Sequence, residues 1–197
     1  MRIVLASGNP GKQREFEALL GPRGFELVLQ SALGIEGAEE TGQTFEDNAL
    51  LKARHAAAAS GLPALADDSG IEVDALGGRP GVHSARYAGP GATDEANNRK
   101  LIEELDGVPP GRRTARYRCV LALVRSASDP RPLLARGAWE GRIALEPAGD
   151  GGFGYDPWFI PQGLDCTAAQ LNAARKNALS HRGVALRELV ARLPDWR

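Results

Sequence analysis

The sequence predicts an α/β protein, and three observations carry that expectation. Short apolar runs at Arg2 to Ser7, Phe25 to Gln30 and Leu62 to Ala66 alternate with helical spacing at Gly11 to Leu20 and Thr44 to Ser60. Thr114 to Val124 alternates and then becomes wholly apolar, as a central strand does. The chain closes on an amphipathic helix through Val184, Leu186, Leu189, Val190 and Leu193.

Taken in order, the first strand breaks on Ser7-Gly8-Asn9-Pro10-Gly11-Lys12, a strand-to-helix turn of small residues. Asn9 suits an N-cap and Pro10 the first helical position. Such a turn offers free backbone N–H groups to an anion, and a bound phosphate would offset the helix dipole's penalty on Lys12. The spacing is one residue short of a Walker A loop, and no Ser or Thr follows the lysine. A polar linker reaches Glu39-Glu40-Thr41-Gly42, loop glutamates able to bind a cation, and Thr44 opens a capping box with Asp47 in place of Glu. His55, mid-helix with no partner at ligand spacing, reads as an ordinary helix residue.

The third apolar run leads into Ala66-Asp67-Asp68-Ser69-Gly70, two carboxylates, a hydroxyl and a glycine. This reads as a strand ending at a cleft, with a solvated turn as the plain alternative. Neighbouring strand residues point to opposite faces, so one aspartate should face the chemistry and the other a cation or backbone. Ile71 to Val73 resumes as a strand, and a Gly- and Pro-rich loop with His83 and Arg86 follows. Thr93 caps a helix to Leu105, Leu133 to Ala138 pairs with the central strand, and Ile143 lies on a short third strand. Asp150 to Phe159 sets glycines around aromatics and a carboxylate, a mobile loop able to stack a flat ring and bond its edge. Thr167 to Gln170 forms a capping box, and Lys176 with Ser180-His181-Arg182-Gly183 supplies donors at a helix start.

Composition bounds the rest. The 197 residues, 43% hydrophobic, suit one core and a single domain over 1–197. A net charge of −1 builds no basic face for nucleic acid. Cys119 and Cys166 lack metal-ligand spacing and suggest a reduced, cytoplasmic setting. The apolar start is too short for a signal peptide, and no run reaches membrane-spanning length. Of 24 basic residues only Lys12, Lys52, Lys100 and Lys176 are lysines.

Six of these motifs, in order and register over essentially the whole chain, resemble the inosine triphosphate pyrophosphatases. They are Ser7 to Lys12, Glu39 to Gly42, Ala66 to Gly70, the Gly77 to Tyr87 loop, Gly152 to Pro157 and Ser180 to Gly183. The resemblance implies a long mixed sheet flanked by helices, two lobes with the active-site cleft between them, Mg²⁺ and a homodimer. It implies hydrolysis of ITP, dITP and XTP to the monophosphate and pyrophosphate, removing deaminated purines from the nucleotide pool. Asp68 then matches the catalytic aspartate and a metal ligand, and Glu39 the second metal position. Ser7, Gly8, Asn9, Pro10, Gly11 and Lys12 match the phosphate loop, and Ser69 a substrate contact. Phe153, Gly154, Tyr155, Asp156, Lys176, His181 and Arg182 match the base site, with Arg182 donating to the 6-oxygen and Asp156 accepting from N1–H. Asp67 could share either role of Asp68. Ser7 stands where threonine is common, His83 where tyrosine is usual, and Arg175 where an acidic residue often precedes the lysine. Two other classes are a same-fold pyrimidine nucleotide pyrophosphatase and a nucleotide sensor without turnover. The base-site stretches argue against the first, and Glu39, Asp67 and Asp68 against the second.

Overall fold

The computed structural model describes residues 1–8 and 10–196. Six strands form one mixed sheet: β1 (Arg2–Leu5), β2 (Glu26–Leu29), β3 (Ala64–Val73), β4 (Thr114–Val124), β5 (Leu133–Ile143) and β6 (Phe159–Pro161). Their order is β2-β1-β3-β4-β5-β6. β1 runs parallel to both β2 and β3, whereas β6 lies antiparallel to β5. The helices are α1 (Pro10–Leu20), α2 (Phe45–Ser60), α3 (Asp94–Glu104), α4 (Ala173–Leu179) and α5 (His181–Arg192). Among the described residues no helix is long and apolar enough to cross a membrane.

Packing divides the chain into two compact units. The first takes residues 1–68, 119–137 and 182 onward; the second takes 69–118 and 138–181. In the first unit the strands are covered on both faces, and alternation sorts their residues between two cores. Ile3, Leu5, Leu65, Cys119, Leu121 and Leu123 join Phe16 and Leu20 of α1 and Leu186 and Leu189 of α5. Val4, Ala64, Ala66, Val120 and Ala122 meet a row of alanines on α2, Ala49, Ala53, Ala56 and Ala57. Small residues on that helix let it approach the sheet closely.

The second unit has its own core, in which Ile71, Val73, Leu101, Leu105, Trp139 and Phe159 are buried together. Tyr117 meets Phe159 edge to face, with ring centroids 4.8 Å apart. Gly70 is required here by close approach. A Cβ on it would fall 2.4 Å from both the Gly81 carbonyl oxygen and the Ser84 hydroxyl. That hydroxyl accepts from the Ile71 N–H at 2.9 Å and donates to the Gly81 carbonyl at 2.6 Å, fixing the Gly- and Pro-rich loop to β3.

Several boundaries differ from the sequence reading. The strand does not end at Asp67; β3 runs ten residues through both aspartates to Val73. Ile143 is the last residue of β5 and not a separate strand. At α2 the expected cap is present: the Thr44 hydroxyl accepts from the Asp47 N–H at 3.1 Å and donates to the Asp47 carboxylate at 2.7 Å. Asn9, expected as the cap of α1, lies outside the described residues.

Candidate active site

The two-residue period of β3 decides where its carboxylates go. Asp67 shares parity with Leu65 and so faces the α1 and α5 side, whereas Asp68 shares parity with Ala66 and faces α2. Asp67 is 2% exposed. Lys12, in the first turn of α1, stands 3.0 Å from its Oδ2. The Arg182 guanidinium donates to the same oxygen from Nε at 3.3 Å and Nη2 at 3.1 Å, and Nη1 donates to Glu15 of α1. Burial pushes the Asp67 carboxyl upward, but Lys12, then Arg182 and Lys52, outweigh it and hold it well below the usual carboxylate range. Asp67 is therefore a fixed anion.

Asp68 has a different environment. Asn48 and Lys52 lie one turn apart on α2 and take one oxygen each. Lys52 Nζ donates to Oδ1 at 2.6 Å and Asn48 Nδ2 to Oδ2 at 3.4 Å. Lys52 also donates to Glu40 at 2.9 Å, and the Asn48 carbonyl accepts from the Gly42 N–H at 2.8 Å. The loop before α2 is thus tied to the same helix face. Burial raises the Asp68 carboxyl above its ordinary value, with Lys52 opposing and Glu40 adding to the rise. For Lys52, burial works against the charge but Asp68, Asp67 and Glu40 outweigh it, so the ammonium is held on. The two adjacent carboxyls are thus displaced in opposite directions, Asp67 downward by its cations and Asp68 upward by burial.

The second unit holds a separate polar cluster. Lys176 Nζ lies 2.6 Å from Asp156 Oδ2 and 4.4 Å from the centroid of the Phe153 ring. Asp156 Oδ2 also accepts from the Phe153 N–H at 2.9 Å, and Oδ1 accepts from the Tyr117 hydroxyl at 3.3 Å. His181 stacks on Tyr117, with ring centroids 4.7 Å apart and planes 8° from parallel. The cluster is a cation and an imidazole beside an aromatic face, held by one buried carboxylate.

The Ham1 family model matches residues 3–192. The chain belongs to the Ham1 family. A dITP/XTP pyrophosphatase of Methylococcus capsulatus is 59% identical over 192 residues, covering 98% of this chain and 96% of the relative. One from Escherichia coli O157:H7 is 55% identical over 189 residues, covering 96% of each. Among solved structures, a HAM1 protein from Coxiella burnetii superposes with a TM-score of 0.92 at 47% identity, covering 99% of both chains. A nucleoside-triphosphatase / dITP/XTP pyrophosphatase from Mycobacterium abscessus gives 0.77 at 44% identity, covering 100% of both chains.

In this Ham1-family chain the expected residues fall into two groups. Ser7, Gly8, Lys12, Glu39, Asp68 and Arg182 belong to the first unit; Ser69, Phe153 to Asp156, Lys176 and His181 belong to the second. Three placements were not foreseen in the sequence. Glu40 is the glutamate that shares Lys52 with Asp68, while Glu39 is exposed. Arg182, read as a donor to the base, spends its guanidinium on Asp67 and Glu15 and is 1% exposed. The Gly152 to Asp156 loop, read as mobile, is bonded into its unit by Phe153, Gly154, Tyr155 and Asp156. Sequence reasoning missed Lys52, Asn48 and Glu15 as members of the site. Scarcity was the available signal for the first: of the four lysines, Lys12, Lys52 and Lys176 each pair with an aspartate of these clusters.

Proposed function

We propose that the chain hydrolyses dITP, ITP and XTP to the monophosphate and pyrophosphate. The observation that supports this most is the geometry of the pair on β3, with Asp67 locked between Lys12 and Arg182 on one face and Asp68 gathered with Glu40 around Lys52 on the other. Asp68 accepts the proton of a water whose oxygen attacks the α-phosphorus. The α–β anhydride bond breaks and pyrophosphate departs with the bonding electrons. Lys12, with the N–H groups of the turn before α1, takes the distal phosphates. A general base positioned in this way accounts for roughly 10²- to 10⁴-fold of rate.

Mg²⁺ fits the donor set of the first unit. Asp68 and Glu40 lie 2.6 and 2.9 Å from one ammonium, so two carboxylates already converge on a single cation position. Among the described residues no cage of three His, Cys, Asp or Glu exists. Mg²⁺ needs none, since one or two carboxylates plus phosphates and waters suffice. Asp68 and Glu40 would hold it as the phosphates bind, with exposed Glu39 as the outer acid, and Glu40 would keep it in the step where Asp68 takes the proton; the ion would neutralise charge on the phosphates.

For the base, Phe153 offers a stacking face, and Lys176 and His181 supply donors suited to a 6-carbonyl. Adenine presents an amino donor there, and leaving such donors mismatched rejects an analogue by ~10⁴-fold or more. Arg182 is spent within the first unit, where it ties α5 to Glu15 of α1 and Asp67 of β3. The homodimer and the cytoplasmic setting complete the proposal; sedimentation of the pure protein reads the first.

The test is a panel of XTP, dITP, ITP, ATP, GTP and pyrimidine triphosphates, with and without Mg²⁺, read as pyrophosphate release. The expected result is metal-dependent turnover of the first three and loss of it in Asp68→Asn. Preference for a pyrimidine, or tight binding with no turnover, overturns the reading.

A further inference from the structure

The Phe153 ring stands on a short loop, and the contacts of that loop extend beyond the Asp156–Lys176 pair. Gly152 has φ +75°, and a Cβ on it would fall 2.1 Å from Asp156 Oδ2, so the turn closes tightly on its own carboxylate. Tyr155 is anchored through its hydroxyl, which donates to the Ser84 carbonyl at 2.8 Å. Gly154, the residue after the ring, is gripped by α3 on both of its polar groups. Its N–H donates to Asp94 Oδ2 at 2.6 Å, and its carbonyl accepts from Asn98 Nδ2 at 2.9 Å. Asp94 and Asn98 are one helical turn apart, so they lie on the same face of α3 and close on Gly154 together.

The helix is itself well fixed. Thr93 caps it by accepting from the Ala96 N–H at 3.2 Å, and Leu101 within it and Leu105 just after it are buried in the core of the second unit. Asn98 is 9% exposed, and Asn97 beside it bonds the Ala88 N–H and the Ala85 carbonyl. Phe153 and Gly154 line a pocket of about 530 Å³ together with Asn98 and Trp158, so rotation of the Gly154 peptide would move part of its wall.

We propose that Asp94 and Asn98 are positioning residues for purine binding, a clamp on the two peptide groups that flank the Gly154 Cα, which aims the Phe153 ring and the Asp156–Lys176 pair at the base. The inference rests on the pyrophosphatase reading above and deepens it by assigning α3 a part in base affinity. Both side chains belong to the second unit, whereas Lys12, Asp67 and Asp68 belong to the first. Their loss should therefore weaken binding of everything that carries a purine while leaving the chemical step and the phosphate side alone.

Asp94 is exposed, so Asp94→Ala is expected to fold; Asn98→Ala removes the buried half of the clamp. Each is measured against wild type for kcat and KM with XTP and dITP, for Kd of xanthosine monophosphate by calorimetry, and for inhibition by inorganic triphosphate. Loss of one charge-assisted hydrogen bond predicts KM and Kd about tenfold higher, kcat within about twofold and triphosphate inhibition unchanged. Asp94→Asn, whose side-chain carbonyl still accepts from Gly154, should recover most of the loss. Unchanged KM and Kd in Asp94→Ala overturn the proposal, as does a fall in kcat at constant KM. Triphosphate inhibition weakening in step with XTP would show general damage and overturn it too. If wild type releases no pyrophosphate from XTP, the functional reading falls, and the xanthosine monophosphate titration still decides the clamp.

Discussion

A guanidinium at 1% exposure must be neutralised in place, and Arg182 meets two carboxylates, Asp67 and Glu15. Removing it leaves Asp67 with Lys12 as its nearest cation and Glu15 without its buried partner. Arg182→Ala should lower stability by about 3–5 kcal/mol, as breaking buried pairs does, and chemical denaturation measures it. At temperatures where the variant stays folded, its XTP/ATP preference should match wild type, because the guanidinium serves carboxylates. A narrowed preference at wild-type stability would return Arg182 to the base. The glutamates give a second contrast. Glu40→Gln should raise the Mg²⁺ concentration for half-maximal rate more than Glu39→Gln does, since only Glu40 shares the Lys52 position with Asp68. Equal shifts would restore Glu39 as an equal ligand.

At the scale of elements, β3 shows what alternation can and cannot reveal. That Asp67 and Asp68 serve opposite faces followed from the strand period, and Ala64 to Ala66 marked the run that fixes their parity. That the strand continues through them was hidden. Asp, Ser and Gly are poor strand formers, and the neighbouring strands, the ion pairs and the tight contact at Gly70 keep them there. Likewise β6 and α4, of three and seven residues, are too short for periodicity to register, and tertiary packing holds them. The partners of Asp68 on α2 were hidden too, because i,i+4 spacing names a face without saying what the face meets. β6 offers a direct check. A Cβ on Gly141 would lie 2.4 Å from the Ile160 carbonyl oxygen and 2.6 Å from the Phe159 ring. Gly141→Ala should cost about 2 kcal/mol by overpacking and lower Tm by about 6 °C in calorimetry. An unchanged Tm would mean that β6 yields freely.

For the molecule as a whole, response to acid follows from carboxylates held low. Asp129 is 4% exposed. Burial pushes it up, but the Arg125 and Arg131 N–H groups at 2.8 and 2.9 Å, with the Arg125 charge, outweigh that and lower it. Its folded value lies below the unfolded one, so its stabilisation is complete above the unfolded value and is lost as pH falls through the folded one. Asp129→Asn should be less stable by about 2 kcal/mol at about pH 7, and the gap should shrink toward about pH 3. A gap constant with pH would assign the loss to shape. Arg125 also lies over the Trp196 ring at 4.7 Å, so this turn fastens the end of the chain.

The two units interleave along the chain, which passes between them after Asp68, Arg118, Gly137 and His181. Three of those passages fall inside β3, β4 and β5 rather than in linkers. Neither unit is therefore a contiguous segment that a gene could donate or a protease could release. During synthesis the first unit acquires Glu15 and Asp67 early and their shared cation, Arg182, almost last. A ribosome must add well over a hundred residues after Asp67 before that ion network can close. Until the helix that carries Arg182 is made, Lys12 is the ion-pair partner of Asp67 already synthesised.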